Sequence, residues 1–379
     1  MEKIAIVGVA QTKFERAKPT ECFADLVYEV TVKALEDAGM TIGDIDNVIT
    51  VSNDFWDGRT ISSMAIQDAC GSYGKNISTV EGDGTYGAIY GALRVLSGSY
   101  RNTLVVSHVK GSMSDNSVIT NGAFDPIYTR SLGLDSISSA ALQARRFMEK
   151  YGITEEQCAL VSVKNHRNAF KNPFAQLPLD ITVEDVMKSR MLADPIKLLD
   201  SSPISDGAAA IIISDQVGAK LCPKPPVWIK GMAHCADAYF LGDRDLAEAD
   251  ALVNAASRAY EMAGIIDPAR EIDVFELYEA FSYQELMWME ALGLCGRGRS
   301  GRVVESGKTK LDGSMPINPS GGVMSAHPVM VAGLVRIIEA VLQVRGEAGE
   351  HQVPGVKTAL AHGLNGVCGQ GHGIFIVGK

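Results

Sequence analysis

The sequence predicts an α/β fold built from two similar halves. Three features of the chain carry that prediction: alternating strands and helices, an internal repeat, and a proline-rich connector. Short apolar runs typical of buried strands occur at residues 4–9, 48–51, 104–107 and 208–213. Patterns typical of helices occur at residues 23–38, 87–96 and 137–151. Strands that alternate with helices form layered structures in which helices cover the sheets, so we expect an α/β architecture.

The internal repeat joins a helix, a glycine and a strand. The first copy reads ALEDAG and then DIDNVI up to residue 49, and the second reads AYEMAG and then EIDVFE up to residue 276. Gly39 and Gly264 stand where the C-terminus of a helix needs a left-handed residue, which glycine supplies readily. Such units also recur in unrelated α/β proteins, but the shared Ile-Asp pattern favours a true duplication.

The connector between the halves sets the domain boundary. The run PISDGAAA at residues 203–210 leads into the last strand of the first half, and the stiff run CPKPP follows at residues 222–226. We therefore predict an N-terminal half over residues 1–222 and a C-terminal half over residues 223–379. Residues 108–200 form an inserted loop domain within the first half, with helices at 140–151 and 155–169. Long insertions of this kind commonly form a lid or a substrate loop.

Composition and charge exclude several classes of protein. Apolar residues make up 46% of the chain and charged residues 21%, and 35 basic against 45 acidic residues give a net charge of −10. An acidic chain without basic runs is a poor candidate for binding nucleic acid or a membrane surface. The N-terminus reads as a buried strand, so we expect no secretion signal. Seven cysteines without a CxxC pair or zinc spacing predict reduced thiols, no metal site and a cytoplasmic location.

Several motifs, in order along the chain, resemble those of the thiolase superfamily. They are SDGAAA at residues 205–210, ELYEAF at 276–281, NPSGG at 318–322 with AHP at 326–328, and CGQGHG at 368–373. Within the insertion, ARRF at 144–147 and SRMLADP at 189–195 resemble the lipid-transfer, or sterol-carrier, branch of that superfamily. One relative of this style is the thiolase subunit that acts on 2-benzoylsuccinyl-CoA.

The resemblance implies a specific fold, substrate and set of partners. The fold would be the thiolase fold, two duplicated halves in a five-layer α/β/α/β/α sandwich. The substrate would be an acyl-CoA, with coenzyme A itself as a substrate and no covalently bound cofactor. The protein would be a homodimer, and members of this branch often pair with a small zinc-ribbon and OB-fold partner that helps to hold coenzyme A.

The chain departs from the family at the nucleophile. Thiolases place a catalytic cysteine a few residues after a Val-Glu pair, at the start of a buried helix. Here the segment reads VEGDGTYG at residues 80–87, and no cysteine lies between Cys70 and Cys158. Counting forward from the pair Val80-Glu81 places the cysteine position at Gly84. Counting back from residues 97–98 places the cysteine position nearer Glu81. A second departure is Tyr278, where related enzymes carry Asn or His.

Three residues in the matching motifs are candidate catalytic residues. His327 can donate a hydrogen bond to an enolate oxygen or exchange protons near neutral pH. Cys368 lies in a glycine loop before a strand at residues 374–377, and the resemblance gives it proton transfer at the α-carbon. Here it could also be the nucleophile, or a small buried residue in a turn. Tyr278 offers a phenol that can donate to a carbonyl or alkoxide, although buried tyrosines are often structural.

Four further residues are candidates for binding the substrate or an oxyanion. Gly84 at a helix start would open room and expose N–H groups, and Asp83 would be a base or, more simply, a helix N-cap. Gly369 would let backbone N–H groups approach an anion. His372, in the same loop, would orient Cys368 or bind substrate.

Three functions fit these residues. The first is thiolase-type cleavage or formation of a 3-oxoacyl-CoA with coenzyme A as acceptor. The second is retro-aldol cleavage of a 3-hydroxyacyl-CoA, which needs no acyl-enzyme. The third is an acyl-CoA-binding subunit without catalysis, against which the intact His327 and Cys368 motifs count. Two thioester products indicate the first function, one thioester with a free carbonyl compound the second, and binding without turnover the third.

Overall fold

The computed structural model describes residues 3–379, and a nine-stranded sheet in the order β3-β2-β4-β7-β1-β8-β11-β10-β9 organises them. Two further short strands, β5 and β6, form a separate antiparallel pair. The strands are β1 (Ile4–Gln11), β2 (Asn47–Val51), β3 (Asn76–Val80), β4 (Asn102–Lys110), β5 (Met191–Ala193), β6 (Ile196–Lys197), β7 (Asp206–Asp215), β8 (Val227–Ala236), β9 (Val274–Glu276), β10 (Thr358–Asn365) and β11 (Gly371–Gly378).

The sheet consists of two halves with the same pattern in mirrored order. In the first half β3, β2 and β4 are parallel, and β7 runs antiparallel to both β4 and β1. In the second half β9 is parallel to β10, and β11 runs antiparallel to both β10 and β8. A single parallel bridge joins Phe275 of β9 to Ile317. Ile317 thus occupies the position in the second half that β3 occupies in the first. The halves join where Ala5 pairs with Trp228 and Ile6 with Val227, and this arrangement confirms the predicted thiolase fold of two duplicated halves.

The helices cover both faces of this sheet. They are α1 (Phe23–Ala38), α2 (Asp54–Asp57), α3 (Gly84–Leu96), α4 (Asn116–Gly122), α5 (Ser136–Tyr151), α6 (Glu155–Ala169), α7 (Val183–Lys188), α8 (Gln216–Ala219), α9 (Asp250–Ala263), α10 (Pro268–Glu271), α11 (Ser282–Ala291), α12 (Ser300–Glu305), α13 (Gly322–Ser325) and α14 (Ala332–Arg345). The repeat explains two helix ends, since α1 stops at Gly39 with φ +65° and α9 at Gly264 with φ +71°. Both are the left-handed caps that the sequence predicts.

Two helices lie at the centre of the molecule. α3 and α14 contact each other and strands of both halves, and their apolar side chains share one core with those strands. α14 is buried along almost its whole length, as expected of a helix that contacts strands of both halves of the sheet. α1 covers the outer face of the first half, and α9 and α11 cover that of the second. The N-termini of α3 and α14 therefore meet in the interior.

The insertion follows β4 and returns to the sheet at β7. Its helices α4 to α7 include α6, which packs against α11, α12 and α13 of the second half. The two strands that flank the insertion, β4 and β7, are longer than their apolar runs suggest, because the β4–β7 ladder continues to the pair Lys110–Asp206. Across residues 3–379, no helix combines the length and apolar character that crossing a membrane requires.

Candidate active site

A cavity of about 540 Å³ lies between the insertion and loops of the second half. The insertion supplies residues from α4 and α5, and the second half supplies the loop after β9, the loop before α14 and the loop between β10 and β11. Tyr278, His327 and Cys368 all line this cavity, so three motifs that are far apart in the sequence meet in one place. A volume of this size is typical of a small-molecule site.

Tyr278 and His327 form the polar centre of the cavity. Tyr278 Oη lies 2.7 Å from His327 Nε2, and Ser202 Oγ lies 2.8 Å from His327 Nδ1. The His327 backbone N–H donates to Ser205 Oγ at 2.8 Å, which fixes the loop that carries the ring. Trp288 Nε1 donates to the Tyr278 carbonyl at 2.9 Å, which fixes the backbone that carries the phenol ring. Both rings are therefore held in place for proton transfer between them.

Burial keeps this pair uncharged at neutral pH. Desolvation lowers the pKa of His327 to about 4, because the imidazolium form would lose its hydration. Desolvation also raises the pKa of Tyr278 well above its ordinary value. If Tyr278 donates to Nε2, the neutral imidazole carries its proton on Nδ1 and donates it to Ser202. Nε2 is then the acceptor that can draw a proton through the phenol.

Cys368 occupies a strained position in the loop between β10 and β11. Its φ of +54° lies in the left-handed region, which is uncommon for a side-chain-bearing residue. Its carbonyl accepts hydrogen bonds from Gln143 Nε2 at 3.0 Å and Arg244 Nη1 at 3.3 Å. Burial raises the pKa of the thiol to about 11, so the thiol is protonated at neutral pH. A protonated thiol is suited to donating a proton rather than to attacking as a thiolate.

His372 and Gly369 lie behind the cavity wall rather than in it. His362 Nδ1 accepts the Tyr278 backbone N–H at 3.2 Å, and His362 Nε2 lies 2.8 Å from His372 Nδ1. His372 is thus linked to Tyr278 through His362. Gly369 has φ +63°, and a Cβ there would lie 2.8 Å from His372 Nε2. Close packing and a left-handed backbone explain Gly369, which does not line the cavity.

The expectation that Gly84 opens room for a substrate is wrong. A Cβ at this position would lie 2.5 Å from Leu334 Cβ and 2.6 Å from Leu334 N, so α3 and α14 are in close contact here. Asp83 is the N-cap of α3, accepting from Thr85 N at 2.9 Å and from Gly333 N at 2.8 Å. Its burial raises its pKa to about 6. Neither residue lines the cavity, which is instead bordered by Glu81 and Gly82.

Several site residues carry no signal in the sequence. Ser202 reaches His327 across 125 positions, and Gln143 holds the Cys368 loop from 225 positions away. His362 could have been noticed, because each of two neighbouring strands carries a histidine followed by glycine, at residues 362–363 and 372–373. In the part of the chain that the structure describes, no group of three or more His, Cys, Asp or Glu is arranged to hold a metal ion.

The duplicated sheet, the two central helices and a cavity lined by the ELYEAF, AHP and CGQGHG motifs define a protein of the thiolase class. Family models agree over nearly the whole chain: "Thiolase, N-terminal domain" matches residues 4–216, and "Thiolase C-terminal domain-like" matches residues 233–379. The chain belongs to the thiolase family.

Three relatives show the range of this family. The acetyl-CoA acetyltransferase of Methanothermobacter thermautotrophicus is 37% identical, with 97% of this chain and 98% of the relative covered. Sterol carrier protein 2 of Bos taurus is 32% identical over 96% of this chain and 70% of the relative. The benzoylsuccinyl-CoA thiolase subunit BbsB of Thauera aromatica is 33% identical over 60% of each chain.

Among solved structures, the Ltp2-ChsH2(DUF35) aldolase is similar with a TM-score of 0.86 and 25% identity. The match covers 100% of this chain and 98% of the aldolase chain. The relatives and this structure together support thiolase-type chemistry on coenzyme A thioesters. They also place both an acyltransferase and an aldolase among the proteins that share the fold.

Proposed function

We propose that this protein cleaves a 3-hydroxyacyl-CoA by a retro-aldol reaction, giving one acyl-CoA and one free carbonyl compound. The observation that carries the proposal is the Tyr278–His327 hydrogen bond in a cavity that has no cysteine at the usual nucleophile position. Gly84 packs against Leu334, so the residue at that position contributes nothing to the cavity. A reaction that passes directly from substrate to products needs no acyl-enzyme.

In this reaction Tyr278 and His327 act together as the base. The substrate 3-hydroxyl gives its proton to Tyr278 Oη while the phenol proton moves to His327 Nε2. The oxygen lone pair forms the new C=O bond, the bond between Cα and Cβ breaks, and its electrons form the thioester enolate. The Cys368 thiol then protonates the α-carbon. The proton on His327 returns through Tyr278 and restores the thiol by exchange in the cavity.

The two shifted pKa values suit this division of roles. A neutral imidazole is free to accept a proton at every pH above about 4, and a thiol with a pKa of about 11 keeps its proton until the enolate forms. The imidazolium that forms is poorly solvated, so it returns its proton readily. Neither group needs to change its charge before the substrate binds.

Thiolysis of a 3-oxoacyl-CoA is the second candidate function. The 37% identity to an acetyl-CoA acetyltransferase favours it, as does the position of Cys368 in the cavity. It requires Cys368 to act as the nucleophile, and the raised pKa of that thiol opposes this role. A binding subunit without catalysis would have no use for the buried Tyr278–His327–Ser202 chain.

Product analysis separates these functions. The purified protein is incubated with a 3-hydroxyacyl-CoA and, separately, with the matching 3-oxoacyl-CoA and free coenzyme A, and the products are identified by mass spectrometry. We expect one thioester and one carbonyl compound from the first substrate, and unmodified enzyme in a quenched sample. Two thioesters together with an acyl group on Cys368 would establish thiolysis instead.

We further propose that the protein acts as a homodimer. β3 is the edge strand of the sheet in the first half, pairs only with β2 in the described residues, and has exposed positions along its length. Large apolar side chains nearby in the sequence are exposed, among them Tyr73 at 92% and Phe55 at 75%. An unpaired edge, with exposed apolar residues near it in the sequence, is suited to pairing with a second copy.

A small partner subunit is part of the same proposal. The name of the Ltp2-ChsH2(DUF35) aldolase joins two components, and BbsB is named as a subunit. A zinc-ribbon and OB-fold partner would help to hold the phosphates of coenzyme A, for which the described cavity lining offers no Lys or Arg.

A further inference from the structure

Much of the cavity lining is apolar and bulky. Trp56, Ile137 and Phe281 line it, together with Ile119 and Ile204. Ile119 and Ile137 come from α4 and α5 of the insertion, so the insertion contributes to the shape of the cavity. Apolar walls favour an apolar occupant by about 25 cal/mol for each Å² removed from water. The volume of about 540 Å³ leaves space for a ring or a branched carbon skeleton beside the thioester arm.

The charge of the lining excludes an anionic acyl group. In the described part of the chain, every lining side chain other than Glu81 is apolar or an uncharged polar group, and none is Lys or Arg. A carboxylate on the acyl group would lose its hydration here without gaining a cationic partner, which is costly. Glu81 at the border adds repulsion rather than attraction. The site therefore selects for a neutral acyl group.

One polar side chain of the cavity lining has no hydrogen-bond partner among the described residues. Asn116 is the first residue of α4, and both its Oδ1 and its Nδ2 are buried without a hydrogen bond to any described residue. A buried amide left unpaired costs about 1–3 kcal/mol, so such groups are normally satisfied. Asn116 lines the cavity, and a bound ligand can satisfy it.

We infer that the acyl group of the substrate is uncharged, ring-sized and apolar, and that it presents one hydroxyl or carbonyl oxygen to Asn116. This inference rests on the proposed function, since it assigns the cavity to the acyl part of a coenzyme A thioester. Asn116 thereby determines specificity and takes no part in the bond cleavage at Tyr278. An amide accepts from a hydroxyl and donates to a carbonyl, so it serves either oxygen without a charge.

Binding of thioesters that cannot react tests this inference separately from catalysis. The probes are 3-phenylpropanoyl-CoA, its 3- and 4-hydroxyphenyl analogues and its 4-carboxyphenyl analogue, none of which has an oxygen at C3 of the acyl chain. Dissociation constants are measured by calorimetry for the wild type, for Asn116→Ala and for Ser117→Ala. Ser117 is the exposed neighbour on the same helix and does not line the cavity, so it is the matched control.

We expect the carboxyphenyl probe to bind at least tenfold more weakly than the phenyl probe. One of the hydroxyphenyl probes should bind about 3- to 10-fold more tightly, the value of one neutral hydrogen bond. Asn116→Ala should abolish that preference while leaving the phenyl affinity within about twofold, and Ser117→Ala should change neither. Equal binding of the carboxyphenyl probe, an unchanged preference in Asn116→Ala, or no binding of any probe would overturn the inference. Failure of retro-aldol turnover would contradict the proposed function alone.

Discussion

Tyr278 and His327 carry the proposed proton transfer because each is the other's hydrogen-bond partner and both are buried. A 2.7 Å contact between Oη and Nε2 is short enough for direct transfer, and Ser202, 2.8 Å from Nδ1, holds the orientation of the ring. The low pKa of the imidazole and the high pKa of the phenol keep the resting pair neutral. The pair therefore acts as one unit, and removing either atom of the contact removes the base.

Tyr278→Phe removes the phenol oxygen and leaves the ring in place. We expect kcat for the release of the carbonyl product to fall about 10- to 1000-fold, because the substrate hydroxyl loses the atom that accepts its proton. The Michaelis constant should change little. Tyr260→Phe is the matched control, since the Tyr260 hydroxyl donates to the Leu292 carbonyl and does not line the cavity. Turnover of Tyr278→Phe at the control's rate would remove Tyr278 from the mechanism.

The pH profile of kcat reports the state of His327. His327 must be unprotonated to accept a proton, and its pKa of about 4 means that it is unprotonated throughout the neutral range. We therefore expect kcat to stay flat as pH falls from 8 to 5 and to decline only as pH approaches 4. Circular dichroism at each pH verifies that the fold persists. A decline centred near 6.5, the ordinary pKa of histidine, would show that His327 is solvated in the working enzyme.

Motifs predict which residues meet at the site, but they do not predict the contacts of those residues. Tyr278, His327 and Cys368 were each identified in the sequence because short, local patterns surround them. Ser202 could not be identified from the sequence, since its partner His327 is 125 residues away and no sequence spacing encodes their contact. The glycine at position 84 is visible in the sequence, but the contact of its backbone with Leu334, which leaves no free space there, is not.

Helix ends with strong local signals are predicted well, whereas α3 begins at Gly84, three residues before the helical pattern at residues 87–96. α1 and α6 have the bounds that the sequence indicates, since Gly39 caps the first and Thr154 forms a capping box with Gln157 at the start of the second. Strands were predicted too short. β4 ends at Lys110, a polar residue that the apolar pattern excludes, but its Nζ donates to the Lys18 carbonyl inside the fold. Partners remote in the sequence thus extend the ladder beyond the apolar run.

The contact between α3 and α14 allows a test of the lost nucleophile. Gly84→Cys would place a side chain where Leu334 Cβ and N already lie within 2.6 Å. We expect a loss of about 1–3 kcal/mol in the free energy of unfolding, measured by urea denaturation, and no gain of thiolytic activity. Gly122→Ala is the control, because a Cβ there meets nothing within 4 Å. A stable Gly84→Cys variant that forms an acyl-enzyme would show that the site keeps its thiolase geometry.

The whole molecule is two copies of one α/β unit joined between β1 and β8, and this duplication was visible in the sequence through the repeat at Gly39 and Gly264. The sequence does not predict that both halves enclose α3 and α14, because this enclosure depends on how the joined sheet is arranged. In that enclosure the Asp83 cap meets Gly333, and the loop before α14 lies beside the loop after β9, where His327 contacts Tyr278. The cavity is therefore a property of the assembled halves together with the insertion.

Charge at the scale of the whole chain bears on how coenzyme A is held. The net charge is −10, and the described lining of the cavity contains no Lys or Arg to pair with phosphates. The basic cluster that the sequence offers is at residues 297–302, where Arg297 already pairs with Glu248 at 3.1 Å. Phosphate groups thus meet an acidic protein in which part of this basic cluster is already engaged.

We therefore expect the purified chain to bind coenzyme A weakly by itself, with a dissociation constant above about 100 µM by calorimetry. Because protein and ligand are both anionic, raising the salt concentration from 50 to 200 mM should leave the affinity unchanged or improve it slightly, since salt screens repulsion. An Arg299→Ala/Arg302→Ala double variant should bind like the wild type. Low-micromolar binding that weakens with salt, and is lost in that variant, would instead place the phosphates on the cluster and remove the need for a partner subunit. If binding is weak for the wild type, at both salt concentrations and for the double variant, the phosphates must be bound by a surface that another subunit supplies.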